Sequence, residues 1–282
     1  MDADRSDRID VKGSNFIENS AATNAGGLYA SIGSSGGRSL GFYDCKFIEN
    51  KTFITVPAFR ILSNGLLLID TIILHEIIYD NNANLSLSSP DNACLSIDAF
   101  GSTNSLVSIN SCAFVNHYIT NNNNTGIVFL ALDNGVVDFY FNAVDNNICD
   151  GKAIIFNGAL TNIINNKFSN NITNDLLQGV VQIAGQNLNI SNVEYLNNTT
   201  AFLINFQSDS LKINNSCIDD LYNPTIRIEA NKLDIVNSVI LPDHDQLILN
   251  SPTTISHSYL PGLDCSTLPS NVTCGPGIIT SG

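Results

Sequence analysis

A short phrase of apolar and polar positions recurs along the whole chain. It reads apolar, any, apolar, any, polar, small, any, apolar, as in Leu188–Tyr195, Leu211–Ile218 and Leu233–Ile240. We number each phrase from its central apolar residue, position zero. Ten phrases align, 20 to 40 residues apart, with position zero at Val11, Phe42, Ile69, Ile109, Phe139, Ile163, Ile190, Ile213, Ile235 and Ile255. Internal repeats of this length are typical of solenoid proteins.

Two further columns accompany position zero. Position −2 holds Ile9, Leu40, Leu67, Val107, Val137, Thr161, Leu188, Leu211, Leu233 and Thr253. Position +5 holds Phe16, Phe47, Leu74, Phe114, Val144, Phe168, Tyr195, Ile218, Ile240 and Leu260. The step of two predicts a β-strand, whereas the odd step to +5 would reverse the face of a straight strand. The chain must therefore bend between these two positions.

The bend is expected at position +2. Nine phrases have Gly13, Asp44, Thr71, Ser111, Asn165, Asn192, Asn215, Asn237 or His257 there, and Phe141 is the exception. Gly and Asn tolerate the left-handed conformation of tight bends. Stacked Asn side chains can also bond to one another along the axis. This role accounts for the 40 Asn residues without a ligand.

Each interval holds a second strand-like run, and helical periodicity is absent. The runs are 27–32, 58–62, 94–97, 127–132, 153–156, 180–183, 202–206, 225–228 and 246–249. The sequence predicts an all-β fold, a single right-handed parallel β-helix of about ten coils over residues 1–260. Residues 261–282 are a tail or a cap. Extra loops are expected near 18–25, 79–92 and 116–125.

The composition excludes several classes of protein and of binding partner. The 282 residues carry a net charge of −14, are 44% hydrophobic and only 13% charged. The apolar content excludes an acidic disordered tail, and the negative charge argues against nucleic acid and anionic membranes. No apolar run reaches the length of a membrane span. No cofactor is expected.

The cysteines and glycosylation sequons indicate whether the protein is secreted. Seven Cys is an odd number; Cys265 and Cys274 could form a local disulfide, whereas Cys45, Cys112 and Cys217 read as core residues. Nine N-x-S/T sequons suggest a secreted glycoprotein, although a chain so rich in Asn, Ser and Thr has many by chance. No signal peptide is visible. Because the first phrase starts at Ile9, we expect that further coils precede Met1 or that the gene model is incomplete.

One tetrapeptide carries a family resemblance. Phe16–Asn19, Phe47–Asn50 and Phe168–Asn171 have the form FxxN, and Gly26-Gly27-Leu28 follows the first of them. This pairing resembles the FxxN and GGA motifs of polymorphic outer membrane protein repeats. The chain as a whole is similar to pectin-lyase-like β-helices. The resemblance implies a non-catalytic surface or secreted adhesin whose partner is a host or neighbouring cell-surface protein or glycan.

The alternative is a carbohydrate-active enzyme, a polysaccharide lyase or glycoside hydrolase. Acidic residues on neighbouring coils could act as general acid and base or bind Ca²⁺. The best cluster combines Asp219 and Asp220 with Asp243 and Asp245, and Arg227 lies on the other run of the coil. A solvated acidic turn explains the same residues. Other candidates have equally plain explanations: Tyr29, Tyr43, Tyr118, Tyr140 and Tyr222 could stack on sugars, and His75, His117 and Asn121–Asn124 read as loop surface.

Overall fold

The computed structural model describes most of the repeated region. The described residues are 8–22, 25–32, 38–52, 58–63, 69–84, 94–99, 105–119, 127–132, 135–149, 154–173, 181–198, 202–219, 225–241, 247–249, 252–260 and 272–279. Their regular structure is entirely β-strand, arranged in three sheets of 16, 9 and 6 strands. We call these the long, middle and short sheets.

The long sheet holds position zero of every phrase and the second runs. Its strands are Arg8–Lys12, Leu28–Ile32, Arg38–Tyr43, Phe59–Ser63, Ile69–His75, Leu95–Ala99, Leu106–Asn110, Val128–Leu132, Val136–Tyr140, Ile154–Ile164, Val181–Ser191, Phe202–Asn214, Thr225–Val236, Leu247–Leu249, Thr253–Ser256 and Val272–Cys274. All nine predicted second runs are strands of this sheet.

The middle and short sheets are built from brief strands that follow the first bend. The middle sheet contains Asn15–Ile17, Lys46–Ile48, Ile78–Asp80, Ala113–Val115, Ala143–Asp145, Lys167–Ser169, Glu194–Leu196, Cys217–Asp219 and Val239–Leu241. The short sheet contains Ser20–Ala21, Lys51–Thr52, Ala83–Asn84, Tyr118–Ile119, Ile148–Cys149 and Ile172–Thr173. We use "repeat" for one long-sheet phrase with the middle-sheet and short-sheet strands that follow it.

Every strand pairing among the described residues is parallel and joins one repeat to the next. Val11 lies opposite Phe42, and the same register continues through Ile109, Phe139 and Ile163 to Ile255. The all-β prediction is confirmed, and the long parallel sheets are consistent with a parallel β-helix.

The third repeat corrects the predicted register. Leu74, not Ile69, lies opposite both Phe42 and Ile109. Position zero was therefore assigned five residues early, and Thr71 is not the bend. Leu74 had fitted the +5 column because both columns require only an apolar residue. The correct register makes Tyr79 the +5 residue, so the expected loop at 79–92 begins with a core residue.

Left-handed backbone marks a first bend in all ten repeats and a second bend in the first seven. Position +2 has φ between 48° and 58° at Gly13, Asp44, Glu76, Ser111, Phe141, Asn165, Asn192, Asn215, Asn237 and His257. A second bend at position +7 has φ between 48° and 57° at Glu18, Glu49, Asn81, Asn116, Asn146, Asn170 and Asn197. The first bend is confirmed at eight of the nine residues predicted for it; Glu76 replaces Thr71, and Phe141, the predicted exception, has the same conformation. The second bend was not predicted.

The core is one continuous column of apolar side chains between the sheets. Position +5 forms an aromatic stack in the first repeats, with ring centroids 4.7 Å apart for Phe16 and Phe47 and 4.7 Å apart for Tyr79 and Phe114. From Ile218 onward the same column is aliphatic. Stacked rings contribute beyond the area they bury, about 0.5–1.5 kcal/mol per pair.

The long sheet changes along the chain. In the first four repeats the second runs form their own ladder, from Leu28–Ile32 to Val128–Leu132. The next four second runs, between Ile154 and Val236, each continue into the following phrase as one strand of 11 to 13 residues, whereas the last is the separate strand Leu247–Leu249. At the other end, Val272–Cys274 pairs with Thr253–Ser256 and so adds to the long sheet. The domain boundary at residue 260 stays a prediction.

Candidate functional site

The predicted acidic cluster is only partly described. Asp219 ends the strand Cys217–Asp219, is half-buried and lies opposite Leu241. Arg227 lies on the long-sheet strand Thr225–Val236, opposite Asn205 and Ile248. Its side chain and all of Asp220, Asp243 and Asp245 fall outside the described residues. The calcium site and the enzymatic site that use these residues therefore stay predictions. Within the described part of the chain, no three His, Cys, Asp or Glu side chains are grouped to hold a metal ion.

The strongest polar feature is buried rather than exposed. Position +8 follows the second bend and carries a row of side chains, which we call the amide ladder: Asn19, Asn50, Asn82, His117, Asn147, Asn171 and Asn198. All except Asn19 are buried. The FxxN motif therefore pairs a core aromatic at +5 with a buried amide at +8.

Each Asn in the interior of the ladder connects three successive repeats. Asn50 Nδ2 donates to Asn82 Oδ1 at 2.9 Å and to the Phe16 carbonyl at 2.8 Å, and the Asn50 backbone N–H donates to the same Asn82 oxygen. Asn147 and Asn171 repeat these contacts at 2.8 to 3.3 Å. The side chain thus satisfies backbone groups that the bend removes from the sheets, as buried polar groups require.

His117 replaces Asn at one rung. The Asn82 backbone N–H, which can only donate, reaches His117 Nδ1 at 3.1 Å. The same Nδ1 lies 3.3 Å from the Asn82 carbonyl oxygen, and Nε2 lies 3.3 Å from Cys94 Sγ. When Nδ1 accepts from Asn82 N–H, the ring hydrogen is on Nε2 and faces the sulfur. The predicted loop-surface position of His117 is wrong, because the ladder draws it into the core. His75, by contrast, is partly exposed.

Burial sets the ionisation of this pair. It lowers the pKa of His117 to about 4, although the Asn82 carbonyl and the charge of Asp80 act in the opposite direction. Burial likewise raises the pKa of the Cys94 thiol. Both groups are neutral at pH 7. A buried neutral thiol is a poor nucleophile, so the Cys94–His117 pair is structural rather than catalytic.

Most of the other described cysteines are buried in the core. Cys45, Cys94, Cys112 and Cys149 are buried free thiols, and Cys217 is a free thiol that is only partly buried. Burial raises the pKa of Cys112 to about 12. Cys274 is disulfide-bonded, and Cys265, the partner that the sequence suggests, lies outside the described residues.

Three predicted glycosylation sequons begin on buried rungs. Asn50, Asn171 and Asn198 have no exposed side-chain surface, and their amide nitrogens donate to neighbouring carbonyls at 2.8 to 3.0 Å. A glycan on such a nitrogen has no space in the folded repeat. These sequons are therefore a by-product of the FxxN motif.

A half-buried polar and aromatic group beside one exposed ring lies on the outer face of the fifth repeat. Tyr140 donates from its hydroxyl to Asp138 Oδ1 at 3.0 Å, and Asn162 Nδ2 donates to the same oxygen at 2.8 Å. Partial burial and the Asp138 hydrogen bond raise the pKa of Tyr140 to about 12. Phe141 adjoins them at the first bend and is 61% exposed. We call Asp138, Tyr140, Phe141 and Asn162 the aromatic patch.

A second aromatic group lies at the start of the same face. Tyr43 contacts Lys12, whose ammonium is 5.2 Å from the ring centroid, and its hydroxyl accepts from Arg8 at 3.4 Å. Tyr29 is partly exposed and Tyr118 is exposed, whereas Tyr222 lies outside the described residues. Among the described tyrosines, Tyr140 is the one that bonds to a carboxylate and lies beside an exposed phenylalanine ring.

Comparison with protein-family models, with curated proteins and with solved structures gives no match. The resemblance to polymorphic outer membrane protein repeats and to pectin-lyase-like proteins therefore rests on the motifs alone. No helix among the described residues has the length and apolarity to cross a membrane.

The amide ladder itself was visible only in part from the sequence. Three FxxN tetrapeptides were recognised, but Tyr79–Asn82 and Val144–Asn147 were not aligned with them. The spacing is the signal that finds them. Counted from position zero at Leu74 and at Phe139, an Asn lies at +8 in both repeats. The Cys94–His117 contact left no such signal, because Cys94 follows a segment of variable length.

Proposed function

We propose that this chain is a non-catalytic binding and display module of a surface or secreted protein. In this proposal it forms a single right-handed parallel β-helix of about ten coils. Its partner is a protein or glycan on the surface of a host or neighbouring cell. Repeat rods offer long faces for several weak contacts and need no active site.

One observation carries the proposal, the conformation of Phe141. It has φ of +56° and is 61% exposed. A bulky residue in the left-handed region is strained by about 1–2 kcal/mol, and the other nine residues at this bend are Gly, Asp, Glu, Ser, Asn or His. Since burial does not offset the strain, Phe141 supports a role in binding, where such strain is commonly kept.

The rest of the aromatic patch fits this role. Asp138 accepts from Tyr140 and Asn162 at once, so the Tyr140 ring is held in place before any partner binds. Fixed aromatic rings beside polar groups lose little side-chain entropy on binding, which favours affinity. The net charge of −14 favours a neutral or basic partner over a polyanionic one.

The test is binding of the purified chain to cell-surface glycan and protein arrays, with matched variants. Phe141→Asn should fold normally, gain about 1 kcal/mol of stability from relief of the strain, and lose binding. Ile279→Asn removes an apolar residue of similar exposure, 57%, far along the chain and should leave binding unchanged. Equal binding by both variants and the native chain would exclude the patch.

The enzymatic alternative has a separate test. A reducing-end assay on pectin, alginate and chitin, with and without Ca²⁺, should show no product formation under our proposal. If product forms, and Asp219→Asn together with Asp243→Asn abolishes it, the chain is a carbohydrate-active enzyme instead. The Phe141→Asn variant serves as the control, since it should not affect such activity.

A further inference from the structure

The aspartate of the aromatic patch presents an acceptor to a partner. Asp138 is half-buried on the strand Val136–Tyr140. Its Oδ1 accepts from the Tyr140 hydroxyl at 3.0 Å and from Asn162 Nδ2 at 2.8 Å, so both bonds end on the same oxygen. An ionised carboxylate accepts through both of its oxygens. Oδ2 can therefore accept from a group that the patch itself does not supply.

Two other aspartates occupy the same column of the long sheet. Position −1 holds Asp10 in the first repeat and Asp234 in the ninth, and parallel pairing places both in line with Asp138. Each has a basic partner two residues earlier on its own strand. Arg8 Nε is 3.0 Å from Asp10 Oδ2, and Lys232 Nζ is 3.3 Å from Asp234 Oδ2. An aspartate in this column is thus paired with a cation in both of these repeats.

The fifth repeat has no such cation among the described residues. Its position −3 is Val136, where the other two strands have Arg or Lys. The neighbours of Asp138 on this face in the fourth and sixth repeats are uncharged: Leu106, Ser108, Asn110, Leu160, Asn162 and Ile164. A charge that is partly removed from water is attracted to an opposite charge more strongly than a fully solvated one. Asp138 is therefore suited to a cation from outside the chain.

The first two repeats show how this face holds a cation. Arg8 donates from Nε to the Asp10 carboxylate at 3.0 Å and from Nη2 to the Tyr43 hydroxyl at 3.4 Å. Lys12 Nζ lies 5.2 Å from the centroid of the Tyr43 ring. An aspartate at position −1 and a tyrosine at position +1 thus bind side-chain cations of this chain. Asp138 and Tyr140 occupy the same two columns.

We propose that the aromatic patch binds an arginine side chain of another protein. The guanidinium donates to Asp138 Oδ2 and lies against the Tyr140 ring, and the apolar stem of the arginine contacts Phe141, which is 61% exposed. Arginine fits better than lysine, because a guanidinium is planar, weakly hydrated and stacks on aromatic rings. The proposal rests on the proposed function and names its partner.

Charge favours a protein over a glycan at this site. The hydroxyls of a neutral sugar can donate to Oδ2, but they supply no positive charge. An acidic glycan is repelled both by Asp138 and by the net charge of −14. Arginine, in contrast, is enriched at the interfaces of proteins, where aromatic residues are its frequent neighbours.

The test uses a minimal probe, the peptide acetyl-Gly-Gly-Arg-Gly-Gly-amide, and the same peptide with citrulline in place of arginine. Citrulline has nearly the shape of arginine but no charge. Each peptide is titrated into the full isotope-labelled chain, and NMR follows the side-chain amide of Asn162 and the backbone amide of Phe141. The arginine peptide should shift both signals to saturation, and the citrulline peptide should bind at least about threefold more weakly.

Asp138→Asn and Asp234→Asn are a matched pair, because each removes one negative charge from the same column. Asp138→Asn keeps an oxygen that accepts from Tyr140 and Asn162, so it should fold normally, which urea denaturation checks. It should weaken binding of the arginine peptide at least about threefold, whereas Asp234→Asn should leave binding unchanged. Equal binding by the two variants would overturn the proposal. So would equal binding of the two peptides, or no binding of the arginine peptide.

Other occupants of the patch give different results. An array glycan that shifts the same Asn162 and Phe141 signals, and that binds Asp138→Asn as well as the native chain, would overturn this proposal and still support the proposed function. Light scattering should show a monomer. A dimer that Asp138→Asn dissociates would identify a second copy as the source of the arginine and overturn the choice of another protein. Loss of array binding by Phe141→Asn tests the proposed function alone.

Discussion

The repeats up to Asn198 and those from Phe202 onward solve the same problem with different side chains. In the first region the amide ladder accepts and donates at the second bend. At the first bend of this region, Asn142 and Asn166 act in the same way. In the second region serines take this place at the first bend: Ser216 N–H donates to Ser238 Oγ at 3.3 Å, and Ser238 N–H to Ser258 Oγ at 3.1 Å. Each serine hydroxyl then donates to a carbonyl of its own repeat at 2.8 to 2.9 Å.

The Asn and Ser side chains differ in how many repeats they connect. An amide has two donors and an acceptor, so Asn50 bonds to the repeat before it and the repeat after it. A serine accepts from one neighbouring repeat and returns its single proton locally. The aromatic stack follows the same division, because the +5 residues after Tyr195 are Ile218, Ile240 and Leu260. The first region should therefore unfold more cooperatively than the second, as coupling between repeats sets cooperativity in solenoids.

The largest effect is expected from Asn147→Leu. Leu leaves the His117 backbone N–H and the Phe114 carbonyl buried without their bonds of 2.9 and 3.0 Å. Each unsatisfied group costs about 1–3 kcal/mol, so for two groups we expect a loss of about 2–6 kcal/mol in the free energy of unfolding. Urea denaturation followed by circular dichroism measures it.

Two further variants complete the comparison of the two regions: one in the second region and one on the surface as a control. Ser238→Ala removes the acceptor for Ser216 N–H and the donor to the Val236 carbonyl. The Val236 carbonyl keeps its bond from Asn215 N–H, so only one group loses its partner and the cost should be about 1 kcal/mol. Asn231→Ala, an exposed Asn bonded to Asp209, should change stability by less than about 0.5 kcal/mol. If Asn147→Leu is no more destabilising than Ser238→Ala, the distinction between the regions fails.

Acid should weaken the first region through His117. Its pKa is about 4 in the folded protein and 6.5 in a free side chain, so the unfolded state binds the extra proton between these values. The stability held above pH 6.5 is lost as the pH falls to 4, by up to about 1.4 kcal/mol per pH unit. Urea denaturation at pH 7 and pH 5 measures the loss.

His117→Asn provides the control for this pH dependence. It restores the usual rung, whose Oδ1 can accept from Asn82 N–H, and it removes the titrating group. The variant should lose less stability than the native chain between pH 7 and pH 5. An equal loss in both proteins would place the acid sensitivity at other residues.

The sequence predicted most of the architecture and little of the buried chemistry. Position zero was right in nine repeats because the phrase is short and repeated; Ile69 was wrong because any apolar residue satisfies the pattern. His117 was placed on the surface because a polar residue between two loops looks exposed. Its burial depends on register with Asn82 and Asn147, which only the aligned repeats reveal.

A small gain is expected from Tyr79→Phe. The Tyr79 hydroxyl is buried within the aromatic stack and has no hydrogen-bond partner, and burial raises the pKa of Tyr79. Removing it deletes an unsatisfied polar group, while the ring keeps its contacts with Phe47 and Phe114. We expect about 1 kcal/mol of added stability by urea denaturation. The matched variant Phe114→Tyr should lose a similar amount; destabilisation by Tyr79→Phe would mean that its hydroxyl is bonded.

The last prediction concerns which sequons can carry a glycan, and it involves no change in stability. If the chain is secreted by a glycosylating cell, Asn50, Asn171 and Asn198 should carry no glycan, because ladder bonds occupy their amides. Asn189 and Asn214, which are partly exposed, are the internal comparison. Glycopeptide mass spectrometry of the folded protein decides the point. Glycans on Asn50 or Asn171 in folded protein would mean that those rungs leave the core, and the first region would then lose the ladder that separates it from the second.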